Sequence, residues 1–107
     1  MLMLGIETAT DRVGAALVDQ GGVLAEFHAA GGRRHAETLA PAIEFLVAQT
    51  GHEASDLAGI AVDIGPGLFT GLRVGIATAK AMAHALAIPV VGLPSLELVA
   101  FPLRYAE

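Results

Sequence analysis

LAGIAVDIGPGLFTGLRVG, residues Leu57 to Gly75, joins an apolar run, a glycine–proline turn and the start of a helix. Leu57 to Ile64 is short and mostly apolar, as befits a central strand covered on both faces. Gly65-Pro66-Gly67 ends it, because Gly65 and Gly67 permit a turn that residues with a Cβ resist. A helix is expected from about Thr70 to Ala87, with the Thr70 hydroxyl as its cap. Strand, glycine turn and helix in that order form half of a β-α-β crossover.

Outward from this unit, Met1 to Thr8 reads as a strand apolar on both faces. Val13 to Asp19 is a second strand, Gln20-Gly21-Gly22 a tight hairpin connection, and Val23 to Ala29 a third strand with Glu26 and His28 on one side. A helix is expected from about Ala36 to Thr50, where Leu39, Ile43, Leu46 and Val47 fall on one face. Pro41 either opens a helix starting near Ala40 or interrupts a longer one. Gly51 stops it in the C′ role. Pro89 to Leu93 is the next strand, and Ser95 caps a last helix with Glu97 in its first turn. The order is β-β-β-α-β-α-β-α. It predicts a mixed five-stranded α/β sheet in one domain spanning residues 1–107, with three antiparallel strands and right-handed parallel additions. The ending, Leu-Arg-Tyr-Ala-Glu107, falls within helix-like sequence and reads as a truncation of a two-domain protein.

Apolar residues make up 54% of the chain and charged residues 16%, which excludes a disordered polymer. The aromatic content of 5% means a core of small side chains. The net charge is −5, and Arg33–Arg34 is the one basic pair, so direct binding of double-stranded or folded RNA by this domain is not expected. There is no cysteine, which removes disulfides, thiolate catalysis and Cys-type zinc sites. The N-terminus meets Glu7 and Asp11 before any long apolar run and is not a secretory signal; a cytoplasmic location fits. Val74 to Leu93 has the length of a membrane span, but Lys80, His84 and Pro89 interrupt it, so no membrane association is expected.

The loop and helix hold the first candidate site. The first helical turn carries no carboxylate, and Arg73 adds positive charge there, which is what anion binding at a helix N-terminus requires. A plain strand-to-helix turn with a threonine cap accounts for the same residues. The segment lacks the Gly-Lys-Ser/Thr of a P-loop. Thr70 stands at the third glycine of GxGxxG, which disfavours a dinucleotide fingerprint. Along the helix Gly71, Gly75, Ala79, Ala83 and Ala87 recur every four residues, a row on which backbones approach closely. The row either packs on the domain's own sheet or meets a helix of another subunit. At the N-terminus, Glu7, Thr8 and Thr10 occupy the turn where sugar kinases and chaperone ATPases hold magnesium and phosphate. ATP and magnesium are therefore candidate ligands, against a solvated strand-end acid. His28, His35, His52 and His84 do not pair at helical ligand spacing, so no metal is expected.

GPGLFTGLRVG resembles the GPGSFTGLR-type signature of the TsaB, or YeaZ-like, family. Glu7's segment IETAT is similar to that family's IDTAT opening, His35-Ala-Glu37 to its His-Ser/Ala-Glu, and Pro89-Val-Val-Gly-Leu-Pro-Ser-Leu-Glu97 to its strand and Ser-Leu segment. The matches are collinear and cover the first half of the family's length. The resemblance implies an actin-like, ribonuclease-H-type domain and a non-catalytic, protein–protein role in tRNA threonylcarbamoyladenosine (t6A) biosynthesis. In that role a TsaB-type subunit binds the catalytic subunit TsaD and works with the ATPase TsaE. The signature residues carried over are Gly65, Pro66, Gly67, Phe69, Thr70, Gly71 and Arg73. The two helices imply an interface, assigned to Gly71, Gly75, Ala79, Ala83, Leu39 and Ile43, and a homodimer when the chain is alone. Two residues depart from the pattern: Glu7 stands where aspartate is usual and Leu68 where a small residue is usual. Both occur in the catalytic subunit, whose His-x-x-x-His metal motif is absent here. The competing class is the nucleotide-binding half of an actin-like kinase or ATPase.

Overall fold

The computed structural model describes residues 1–8, 12–30, 35–65 and 69–94. Its strands are β1 (Leu2–Glu7), β2 (Arg12–Asp19), β3 (Gly22–Ala30), β4 (Leu57–Asp63) and β5 (Val90–Leu93); its helices are α1 (His35–Gln49) and α2 (Phe69–Leu86). They form one five-stranded sheet in the order β3-β2-β1-β4-β5. β1 pairs antiparallel with β2, and β2 with β3, while β1–β4 and β4–β5 are parallel. This is the expected mixed sheet, with strand boundaries within a residue or so of the sequence reading. The helix expected after Ser95 lies outside the described residues.

Both helices pack on one sheet face. Leu2, Leu4, Ile6, Ile60 and Val62 point from the strands into a core shared with Leu39, Ile43, Leu46 and Val47 of α1 and Ala79 and Ala83 of α2. Leu4, Ile6, Leu39 and Ile60 are completely buried, each contributing about 1.5–3 kcal/mol by leaving water. The alternate residues of the central strands face the other side, where Val18 and Ala61 form a smaller cluster with Met3, Ala16 and Leu93. That two-sided burial is why β1 and β4 read as continuous apolar runs.

The β2–β3 hairpin turns at Gln20-Gly21, with the Gly21 amide donating to Asp19 Oδ1 at 2.8 Å. The pairing shifts between Leu17 and Val18, so Leu24 becomes an extra residue on β3. Val23 and Leu24 are consequently both exposed, while Ala25 and Phe27 return to the core. Glu26 and His28 share the outer side, as read from the sequence, with His28 Nε2 3.3 Å from Glu26 Oε1.

α1 is the longer of the two helices that Pro41 left open, and it carries the proline inside. Pro41 is exposed, so its ring lies on the outer side of the helix and displaces no core contact. Both helices end in the same double turn. His52 N donates to Val47 O at 3.1 Å and Gly51 N to Ala48 O at 3.2 Å; Ile88 N donates to Ala83 O at 3.0 Å and Ala87 N to His84 O at 3.3 Å. The pivot must adopt left-handed backbone angles. In α1 it is Gly51, at φ 76°, but in α2 it is Ala87, at φ 55°.

The row of small residues faces inward. Gly71 and Gly75 are buried, Ala79 is completely buried and Ala83 is 6% exposed, all against the chain's own sheet. Leu39 and Ile43 lie in the same core. Within the domain the row Gly71, Gly75, Ala79 and Ala83, with Leu39, is used for close packing on the sheet, whereas Ile43 also borders the surface between α1 and α2.

An alanine in left-handed geometry costs about 1 kcal/mol relative to glycine. Ala87→Gly is expected to stabilise the fold by about 0.5–1 kcal/mol, and Gly51→Ala to destabilise it by a similar amount. Urea denaturation with a shared slope measures both; a loss of stability in Ala87→Gly would contradict the assignment.

Candidate functional site: the strand ends and the groove between the helices

The C-terminal ends of β1 and β4 lie side by side, since Ile6 pairs with Val62. Glu7, half-exposed, follows Ile6, and Asp63, completely buried, follows Val62. Across the antiparallel side Glu7 pairs with Gly14 and Gly14 with His28. A Cβ on Gly14 would lie 3.2 Å from His28 Nδ1, so the missing side chain makes room for the imidazole. Asp63 was not singled out in the sequence, although Asp-x-Gly is a side-chain-capped turn signature. Its Oδ1 accepts from the Gly65 amide at 2.8 Å, and Gly65 holds φ 104°. The buried carboxylate thereby fixes the first step of the glycine loop.

Thr8 is also completely buried, and its hydroxyl donates to the Gly71 carbonyl at 2.6 Å. Thr8 thus ties the end of β1 to the first turn of α2. Among the nucleotide and magnesium candidates, Glu7 and Thr8 sit together at this strand end and Thr10 lies outside the described residues. Among the described residues no three His, Asp or Glu side chains gather closely enough to hold a metal ion. Of the signature residues, Gly65 and Gly71 are buried, Arg73 is exposed on α2, and Pro66 and Gly67 lie outside the described residues. α2 starts at Phe69 rather than Thr70, which puts Thr70 inside the first turn instead of at the cap. That turn carries no acidic residue.

On the opposite side of the helix layer, α1 and α2 border a groove of about 390 Å³. Ile43, Val47 and Ala48 form one wall and Thr78 and Met82 the other, with Glu44 and His52 at the rim. The interface expected from the sequence shares Ile43 with this groove, and its other five residues lie on the inward rows of the two helices. The outward signal was available in Ala40, Glu44 and Ala48, which flank the core face of α1 at helical spacing. No helix among the described residues is long and apolar enough to cross a membrane.

Below the groove, the 3-10 turn Ala54–Asp56 is closed by the Glu53 amide donating to Asp56 Oδ2 at 2.8 Å, with His52 Nδ1 3.3 Å away. The backbone hydrogen bond first, and the His52 contact second, hold the Asp56 carboxyl below its ordinary value of 3.8. A lowered folded-state pKa stabilises the turn above that ordinary value, and the contribution is lost as pH falls through the folded one. The Glu53 amide resonance is expected to titrate with a midpoint below 3.8, and the step to vanish in Asp56→Asn. A midpoint at or above 3.8 would contradict the geometry.

Residues 9–107 match the family model described as TsaD, tRNA N6-adenosine threonylcarbamoyltransferase. The chain is 39% identical over 113 aligned residues to the tRNA N6-adenosine threonylcarbamoyltransferase of Geotalea uraniireducens, covering 91% of this chain and 33% of that protein. It is 42% identical over 99 residues to an uncharacterized protein of Mycobacterium tuberculosis, covering 91% of this chain and 47% of the relative. The chain thus spans a third to a half of the length of these relatives. Among solved structures, YeaZ from Pseudomonas aeruginosa superposes with a TM-score of 0.82 at 32% identity, over 87% of this chain and 43% of YeaZ. RuvC of Thermus thermophilus, solved with a Holliday junction substrate, superposes at 0.55 with 14% identity over 100% of this chain and 81% of RuvC, a likeness of fold alone. The domain has the actin-like, ribonuclease-H-like fold of YeaZ, and the resemblance to TsaB, or YeaZ-like, proteins stands. By the family model and these likenesses, the chain belongs to the tRNA N6-adenosine threonylcarbamoyltransferase (TsaD) family.

Proposed function

We propose that this protein is a YeaZ-like, non-catalytic partner subunit in tRNA threonylcarbamoyladenosine biosynthesis, which binds and supports a TsaD-type catalytic subunit in the cytoplasm. The fold shared with YeaZ over most of the described chain carries this reading. The groove between α1 and α2 supports it, because its walls are apolar and lie on two rigid helices. A helix of the partner would lay its apolar face between Ile43, Val47 and Ala48 on one side and Thr78 and Met82 on the other. Glu44 and His52 at the rim would set its register through polar contacts. The outward face of α2, with Arg73, Lys80 and His84 exposed beside Ala77 and Ala81, would lie along the edge of the same contact. A TsaE-type ATPase would join the assembled pair, and two copies of this chain would share the helical face when the catalytic subunit is absent. The tRNA would be held by the assembly rather than by this acidic domain.

Ala48 is exposed on the groove wall, so a larger side chain there fills the groove without entering the core. Ala48→Trp is expected to weaken binding to the TsaD-type subunit by about 100-fold, roughly 3 kcal/mol, with an unchanged melting temperature. Calorimetric titration of one purified protein into the other measures it. Wild-type affinity in a folded Ala48→Trp would remove the groove from the interface.

A further inference from the structure

The two helices meet the sheet through side chains of very different size. α1 presents Leu39, Ile43, Leu46 and Val47, whereas the buried row of α2 is Gly71, Gly75, Ala79 and Ala83, flanked by the partly buried Val74, Ile76, Met82 and Leu86. A helix seats on a sheet at the depth its contact row allows, so the α2 row permits a closer approach than the α1 row. At its N-terminal end that approach is limited by Thr8. The Thr8 hydroxyl donates to the Gly71 carbonyl at 2.6 Å, and one turn later a Cβ on Gly75 would overlap Thr8 Oγ1 and lie 3.5 Å from Ile6 Cγ2. No slack remains between the strand end and the helix backbone at this point.

We propose that the Thr8–Gly71–Gly75 contact is the spacer that sets how deep α2 seats, and thereby the width of the groove on the helices' other side. Thr8 and Gly75 are then positioning residues for the partner-binding face, touching no partner themselves. This rests on the partner-subunit reading above. Thr78 and Met82, one wall of the groove, lie on the same unbroken helix as Gly71 and Gly75. A helix moves as a unit, so an added atom at Gly75 lifts that wall relative to Ile43 and Val47. Thr8, a nucleotide candidate by its position in the sequence, has its hydroxyl committed to this contact.

The test is a size-exchange cycle in the full-length protein, read by the Met82 methyl resonance and by calorimetric affinity for the TsaD-type subunit. Gly75→Ala is expected to shift the Met82 resonance and weaken binding about tenfold. Thr8→Ser keeps the hydroxyl and is expected to bind within about threefold of wild type. In Thr8→Ala/Gly75→Ala the new methyl takes the place of the removed hydroxyl, so the resonance and the affinity both return toward wild type, the latter to within about threefold. The proposal is overturned if folded Gly75→Ala leaves Met82 and the affinity unchanged, or if the double variant is no better than Gly75→Ala. Should Gly75→Ala not fold, Thr8→Ala, which removes an atom rather than adding one, must by itself shift the Met82 resonance; no shift overturns the spacer. A failure of the partner reading looks different: wild type does not bind the subunit, while Met82 still moves in Gly75→Ala and returns in the double variant.

Discussion

One hydroxyl organises this domain. Thr8 leaves the last residue of β1 and reaches the carbonyl of Gly71, locking a strand end to a helix start 63 residues away in sequence. The bond itself is worth on the order of 1 kcal/mol net. Its larger effect is geometric, because it forbids any side chain at Gly75 and brings the α2 backbone down onto Ile6. The small residues along α2 follow from that constraint. A bulkier residue at Gly75 would meet the Thr8 hydroxyl directly.

Beside this lock, Asp63 performs a matching task from the neighbouring strand. It is completely buried and fixes the amide of Gly65, while Thr8 fixes the carbonyl of Gly71. Both ends of the connection between β4 and α2 are therefore held by side chains from adjacent parallel strands. The YeaZ-like sequence signature falls on this connection, and Gly65, at φ 104°, answers to backbone geometry before any ligand is invoked. Function, in the reading favoured above, lies on the far side of the helix layer, where the consequences of the lock reach the surface.

Most of the architecture was legible in the residues. Strand and helix order followed from periodicity and from Gly21, Gly51 and Gly65, and the two-sided burial of β1 and β4 from their unbroken apolar runs. Pro41 left its helix undecided because a proline's cost depends on whether the orphaned carbonyl meets water, which is a tertiary fact. The row Gly71, Gly75, Ala79 and Ala83 was visible as a place of close approach, but periodicity cannot say whether sheet or partner does the approaching. Asp63 escaped notice since a carboxylate two residues before a glycine is ordinary on a loop; only its complete burial marks it out. The groove was illegible for a related reason. It belongs to neither helix alone and is lined from both.

The strand order carries a kinetic consequence. β1, β2 and β3 are sequence neighbours and pair by short turns, whereas β1 must also accept β4 from more than fifty residues downstream. During synthesis the meander and α1 emerge together and can collapse locally, with one edge of β1 still bare and its row of amides unpaired. Docking of β4, and of α2 behind it, closes that edge, so the slow step in reaching the native state and the moment of greatest risk of intermolecular pairing coincide. The buried hydroxyl contact, which joins residues 63 apart in sequence, requires that docking before it can form.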